Sequence, residues 1–287
     1  MAMVVVPLCE LTDGQEADFF AVLSAKEELT TKDGKPYFRV AFRDCRREVT
    51  FPVWSDVPLA DACRDGWQVG QFYKLRATYR EHPTYGPQLE IRKIRGAVDG
   101  DRADGFDEAL LIPRSRVAPE ELFAELIDLV EQHISPGPLQ EIVVGILRDN
   151  REVLLRLPAA THNHHAYVGG FLEHVLSVAQ TCVHFAEKYA LLFPDLSPPL
   201  DGELVVAGGV LHDIGKLREL ELTPLGAAYT PSGTLIGHML QGRDILREAA
   251  QGSGLPEERL LRLEHIIVAH HRLPEWGSNS PERQKDG

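Results

Sequence analysis

Near residue 118 the spacing of the apolar residues changes, and that break excludes any fold built from one repeated element. Before it, from Phe19 to Arg95, short alternating or β-branched runs stand between turn signals, and helical periodicity is weak. After it, Pro119 with Glu120 and Glu121 opens a helix whose Leu122, Phe123, Leu126, Ile127 and Val130 share one face, and the Ser-Pro-Gly-Pro run at 135–138 ends it. A chain of 287 residues with 44% hydrophobic content can bury two cores. The expected fold class is α+β and multidomain: strand-rich over 1–98, a linker over 99–118 that starts acidic and Gly-containing, and all-α over 119–287.

Strands are predicted at 19–24, 37–42, 48–54, 72–80 and 88–94, with Lys32-Asp-Gly-Lys35 as a hairpin turn, a second turn at 82–87 and a helical or irregular insert at 57–65. Five short strands with one insert suit a small Greek-key barrel of the OB-fold type, a generic β-sandwich being the alternative. Further helices are predicted at 139–156, 166–191, 202–213, 235–251 and 256–271, with a Pro-rich loop at 193–200 and a loop or short hairpin at 222–234.

Taken alone, the formal charge of -13 argues against a nucleic-acid partner, because phosphate contacts need concentrated Lys and Arg. The charge is unevenly placed, however. Up to residue 98, 14 Lys plus Arg meet 14 Asp plus Glu, so the whole deficit lies in the helical part. In the strand-rich part, Arg39, Arg43, Arg46, Arg47, Arg76, Arg80, Arg92, Lys93 and Arg95 interleave with Tyr37, Phe38, Phe42, Trp54, Tyr73 and Tyr79. Single-strand binding uses this mixture of stacking faces and cations, which makes Arg39, Arg43, Tyr79 and Arg92 candidate nucleic-acid contacts. The competing reading is a barrel that keeps every second aromatic in its core and solvates its charges.

The four cysteines, Cys9, Cys45, Cys63 and Cys182, include no CxxC pair, so they suggest neither a zinc knuckle nor a disulfide framework, and a cytoplasmic location is expected. The opening Met-Ala-Met-Val-Val-Val is too short for a signal segment, and the longest apolar stretch, 204–211, falls short of a membrane span.

Ten of the 12 histidines lie between His162 and His271. His212 and Asp213 end the apolar, small-residue run Leu204-Val-Val-Ala-Gly-Gly-Val-Leu211 and precede Ile214-Gly215-Lys216. An apolar helix has little structural reason to bury an acid beside an imidazole unless a cation compensates both, and imidazole with carboxylate is a good ligand set for Zn, Mn, Fe and related ions. His174 has Gly170 four residues before it, His238 stands between Gly237 and Gly242, and His270-His271 close a Leu- and Ile-rich helix after His265. Helical bundles build metal sites in this way, one or two ligands per helix. A lone histidine is more often a hydrogen-bonded core or surface residue, which is the reading for His133 and His184. His162, His164 and His165 suit either a phosphate-binding entrance or a polar helix cap.

The order His174, His212-Asp213, His238, His270-His271 resembles the HD-domain metal-dependent phosphohydrolases. The segments His164-His-Ala-Tyr-Val-Gly-Gly-Phe-Leu-Glu-His174, Leu211-His-Asp-Ile-Gly-Lys216, Gly233-Thr-Leu-Ile-Gly-His238 and His270-His-Arg-Leu-Pro-Glu-Trp-Gly-Ser278 are similar to the YhaM-type 3'-to-5' exoribonucleases, in which an OB-fold precedes the HD domain. The resemblance implies a nuclease of single-stranded RNA, with DNA as a further substrate, using one or two divalent ions drawn from Mn, Fe, Co, Ni, Zn or Mg. In it His174, His212 and Asp213 hold the first ion, Asp213 bridges to a second held by His238 and His270, Lys216 neutralises a phosphate oxygen, and His271 is a ligand or a nearby acid. The family's last ligand is an aspartate on a further helix, whereas this sequence ends at Gly287 after a polar run, and Asp286 lies too near the histidine pair to replace it. Weakened metal binding and reduced activity are expected on that ground. Two other readings stay open: a phosphohydrolase of free or cyclic nucleotides, and a non-catalytic nucleic-acid-binding protein with an incomplete metal site. Whether the chain forms a homo-oligomer is also open.

Overall fold

The computed structural model describes residues 5–161, 165–223 and 225–271. His162, His164 and the polar tail with Asp286 therefore lie outside the described residues. The chain divides into two compact units, one running to Pro113 with Thr223–Leu225 grouped to it, the other made of the remainder.

In the first unit β1 (Glu16–Thr30), β2 (Pro36–Arg43), β3 (Glu48–Trp54), α1 (Leu59–Gly66), β4 (Phe72–His82) and β5 (Gly86–Gly96) follow in that order. The sheet order is β3-β2-β1-β4-β5, antiparallel throughout, and β3 approaches β5 so that the sheet closes on itself. Closure with a helix between the third and fourth strands is the OB-fold plan. β1 is longer than its apolar segment because it serves two partners, Glu16–Val22 pairing with β4 and Val22–Thr30 with β2. The polar half around Lys26-Glu-Glu28 carries no apolar alternation, yet its ladder hydrogen bonds extend the strand to Thr30. Phe19, Leu23, Phe42, Leu75 and Tyr79 fill the interior.

The stretch expected as a linker carries structure of its own. Asp99–Asp104 forms a 3-10 turn, and its buried Asp101 receives hydrogen bonds from Arg95 at 2.5 and 2.7 Å. Phe106 and Leu111 pack with Phe20 in a small separate cluster. The composition that reads as a linker conceals one acid with two basic partners and two apolar anchors.

The second unit holds α2 (Pro119–His133), α3 (Pro138–Asp149), α4 (Arg151–Leu154), α5 (Gly170–Leu192), α6 (Gly202–Leu211), α7 (Lys216–Glu219), the hairpin β6 (Leu220–Thr223) and β7 (Gly226–Tyr229), then α8 (Pro231–Ile236), α9 (His238–Ala250) and α10 (Glu257–Ala269). Three predicted helices are altered. The 139–156 helix breaks at Asn150, whose side-chain amide donates to Ile146 O at 2.8 Å. The 166–191 helix starts only at Gly170, after left-handed Gly169, and the 235–251 helix is interrupted at Gly237, with φ of 78°. α6 is buried almost all round, contacts α5 and α10, and ends at Leu211, so His212 and Asp213 stand in the turn that follows. No helix among the described residues is long and apolar enough to cross a membrane.

Candidate metal centre

Asp213, 3% exposed, stands where four elements converge. α5 contributes His174, the end of α6 His212, the start of α9 His238, and the end of α10 His270 and His271. Close backbone approach makes this convergence: a Cβ on Gly215 would collide with the His238 carbonyl and the Gly242 nitrogen, so only glycine lets the His-Asp turn lie against α9. α6 and α10 both direct their C-terminal ends to the site, a polarity that favours positive charge.

The two oxygens of Asp213 meet different company. Oδ2 lies 3.4 Å from Nε2 of both His174 and His212 and receives the Lys216 ammonium at 2.7 Å. Oδ1 lies 3.4 Å from Nε2 of both His238 and His270 and accepts no hydrogen bond among the described residues. The Lys216 ammonium on Oδ2 keeps this buried group anionic.

For three of the imidazoles the far side fixes the tautomer. His212 Nδ1 donates to Gly209 O at 2.8 Å, His270 Nδ1 to Ile267 O at 2.7 Å, and His238 Nδ1 to Glu219 Oε1 at 2.9 Å. With the proton at Nδ1, the neutral ring presents a lone pair at Nε2. His238 Nε2 and His270 Nε2 then face each other at 3.4 Å, with Asp213 Oδ1 beside both. Crowded acceptors around an orphaned carboxylate oxygen form a cradle for a cation, and the donor set suits a divalent transition ion. Two groups of side chains that could hold a metal ion emerge, Asp213 with His238, His270 and His271, and Asp213 with His174 and His212. The His271 ring lies 5.0 Å from that of His238 and 4.3 Å from that of His270.

Lys216 Nζ is held by Asp213 and by Ala159 O, at 2.7 Å each. Sequence reasoning passed over Glu219, which is buried and anchors His238; the only signal was an acid six residues after the His-Asp pair. It also left open a chain at the rim: His165 Nδ1 lies 2.8 Å from Tyr167 OH, which donates to Glu173, while the His165 ring sits 5.8 Å from that of His174. Burial first, and Glu173 second, push the Tyr167 phenol up to about 12.

The four nucleic-acid candidates on the barrel fare differently. Tyr79 is a correction: it is 2% exposed, in the core under the Arg47 guanidinium, and cannot stack on a base. Alternation with Tyr73, Leu75 and Ala77 along β4 already gave its inward parity. Arg43 is half-buried, and burial lowers the affinity of its guanidinium for its proton. Arg39 is exposed and paired with Glu27 at 2.6 Å. Arg92 is the extra residue of a bulge in β5 and lines a cleft of about 560 Å³ with Lys74, Arg76, Lys93 and Arg95. Trp54, 45% exposed, packs on Tyr37 and is the barrel's accessible indole.

The family model for the HD domain matches residues 171–286, and a model described for a helicase matches residues 114–218. The chain is 30% identical over 284 residues to the 3'-5' exoribonuclease YhaM of Bacillus licheniformis, covering 95% of this chain and 82% of that protein. It is 29% identical over 284 residues to the 3'-5' exoribonuclease YhaM of Bacillus subtilis, with the same coverage of 95% and 82%.

Proposed function

This chain belongs to the YhaM family of 3'-5' exoribonucleases, and from that premise we propose that it removes nucleotides from the 3' end of single-stranded RNA by metal-dependent hydrolysis at the Asp213 cluster. DNA is a second substrate class. The observation that carries the reading is Asp213 Oδ1, a buried anionic atom whose neighbours are imidazole lone pairs. His174, His212, Asp213, His238 and His270 would hold the cations, with His271 a further ligand or an acid beside them. Divalent ions bound there would supply Lewis-acid charge to the phosphate and make water more acidic.

Lys216 orients Asp213 first. Two of its three N–H donors are taken by Asp213 and Ala159, and the third remains to meet a phosphate oxygen. The barrel binds the single strand, with Trp54 and Tyr37 offering a stacking surface and Arg92 and Lys93 meeting phosphates. The thiols of Cys9, Cys45, Cys63 and Cys182 are all free, which suits a reducing compartment.

The deciding experiment follows 5'-labelled single-stranded RNA with added Mn, comparing this chain with the double variant His212→Ala, Asp213→Ala. Progressive shortening from the 3' end is expected, slowed about 1000-fold or more in the variant. Turnover of free or cyclic nucleotides without polymer degradation would replace the nuclease reading with that of a small-nucleotide phosphohydrolase. Bound metal and RNA with no turnover of either substrate would leave a binding protein.

A further inference from the structure

We propose that the two faces of Asp213 are unequal cation positions: the Oδ1 face, made with His238, His270 and His271, binds its divalent ion the more tightly, and Glu219 is the positioning residue behind that difference. The inference rests on the metal reading above. On the Oδ2 face a cation is already present, because Lys216 Nζ sits at 2.7 Å, and a divalent ion entering there meets its repulsion. His174 Nδ1 makes no hydrogen bond among the described residues, so its proton is free to sit at Nε2 and the 3.2 Å contact with His212 Nε2 is satisfied as an ordinary hydrogen bond. On the other face Asp213 Oδ1 accepts no hydrogen bond among the described residues. His238 and His270 both commit their proton to Nδ1, leaving two lone pairs and a carboxylate oxygen within 3.4 Å of one another.

Glu219 strengthens this difference. It is 7% exposed, and its Oε1 accepts both the main-chain N–H of His238, at 3.0 Å, and His238 Nδ1–H, at 2.9 Å. A carboxylate behind an imidazole makes the opposite nitrogen a stronger donor, whereas His212 and His270 have only main-chain carbonyls behind them. The rival role is structural. α9 has no side-chain cap at Gly237, and the Glu219 carboxylate sits at that helix start.

The test titrates the metal-stripped full chain with Mn²⁺, following free ion by electron paramagnetic resonance, and reads the melting temperature of the apo protein in parallel. Glu219→Gln keeps an oxygen for the cap and removes the charge. It is expected to weaken the tightest binding event about 10-fold or more with the apo melting temperature held, and His174→Ala to leave that event in place. In a His238→Ala background, Glu219→Gln should add no further loss. A tight event that survives Glu219→Gln, or that His174→Ala abolishes, would overturn the proposal. So would a Glu219→Gln variant that loses only melting temperature, which would make Glu219 a helix cap alone. A parent chain that binds no Mn²⁺ sinks the metal reading itself, an outcome distinct from tight binding at the other face.

Discussion

The barrel and the helical unit both pair most of their ionisable groups, and the contrast between them lies at Asp213. On the barrel, charges are neutralised locally: Arg76 pairs with Asp18, Lys74 and Arg95 share Asp101, and Arg39 pairs with Glu27. These pairs are at least partly exposed on their basic side, where solvent screening leaves each a small contribution. In the helical unit Asp213 is withdrawn from water, and one of its oxygens has no hydrogen-bond donor among the described residues. Leaving a buried charge in that state is costly unless something cationic completes it. The difference teaches that charge balanced within the chain supports the fold, whereas a buried carboxylate oxygen left without a donor, even with Lys216 on its other oxygen, marks a place for something the chain does not itself supply.

The largest expected effect tests that division directly. Treatment with a chelator should stop RNA shortening, by about 1000-fold or more, while gel-shift or anisotropy measurements show single-strand binding retained. Loss of both together would break the comparison. Next in size is Tyr79→Ala, which should destabilise the barrel by about 3–5 kcal/mol as a deleted core aromatic, measured by denaturant unfolding. Tyr79→Phe loses only a 3.3 Å contact to Glu81, so RNA affinity should hold within about 2-fold, and a larger loss would return Tyr79 to the binding surface.

Trp54→Ala should weaken single-strand RNA binding by about 1–3 kcal/mol with only a small drop in melting temperature, since the indole is 45% exposed and its ring contact is with Tyr37. The smallest effect concerns Asp101. The hydrogen-bonded Arg95 guanidinium holds its carboxyl far below the ordinary range, so its folded-state pKa lies under the unfolded value of about 3.9. The stabilisation is therefore fully present above about pH 4 and fades as pH falls through and below that point. Asp101→Asn should lower stability at neutral pH by about 1 kcal/mol or less, Arg95 being half exposed, and the difference from the parent should vanish in acid titrations.

Much of the fold was legible in residue spacing. β3 was predicted to the residue, and β2, β4 and β5 to within about two residues at each end, because alternation and turn signals are local properties. The helix interruptions at Asn150 and Gly237 were not. Both flanks of each break keep helical periodicity, and one residue's backbone angle or side-chain bond decides the outcome. At the site, the gathering of His174, His212, Asp213, His238 and His270 was expected from the motifs, and the structure brings all five together with His271. Glu219 escaped notice because a lone acid in a charged stretch has no signature until its partner is seen.

By itself the sequence determined the two kinds of element and the change of period between them, which follow from composition and spacing along the chain, and it offered the candidate metal ligands through the resemblance of their motifs. Only the tertiary structure decided that Tyr79 faces inward, that Lys216 occupies one oxygen of Asp213, and that Glu219 stands behind His238. Those outcomes depend on distances across packed elements, and sequence periodicity tells which side of an element is buried but not which partner it meets there.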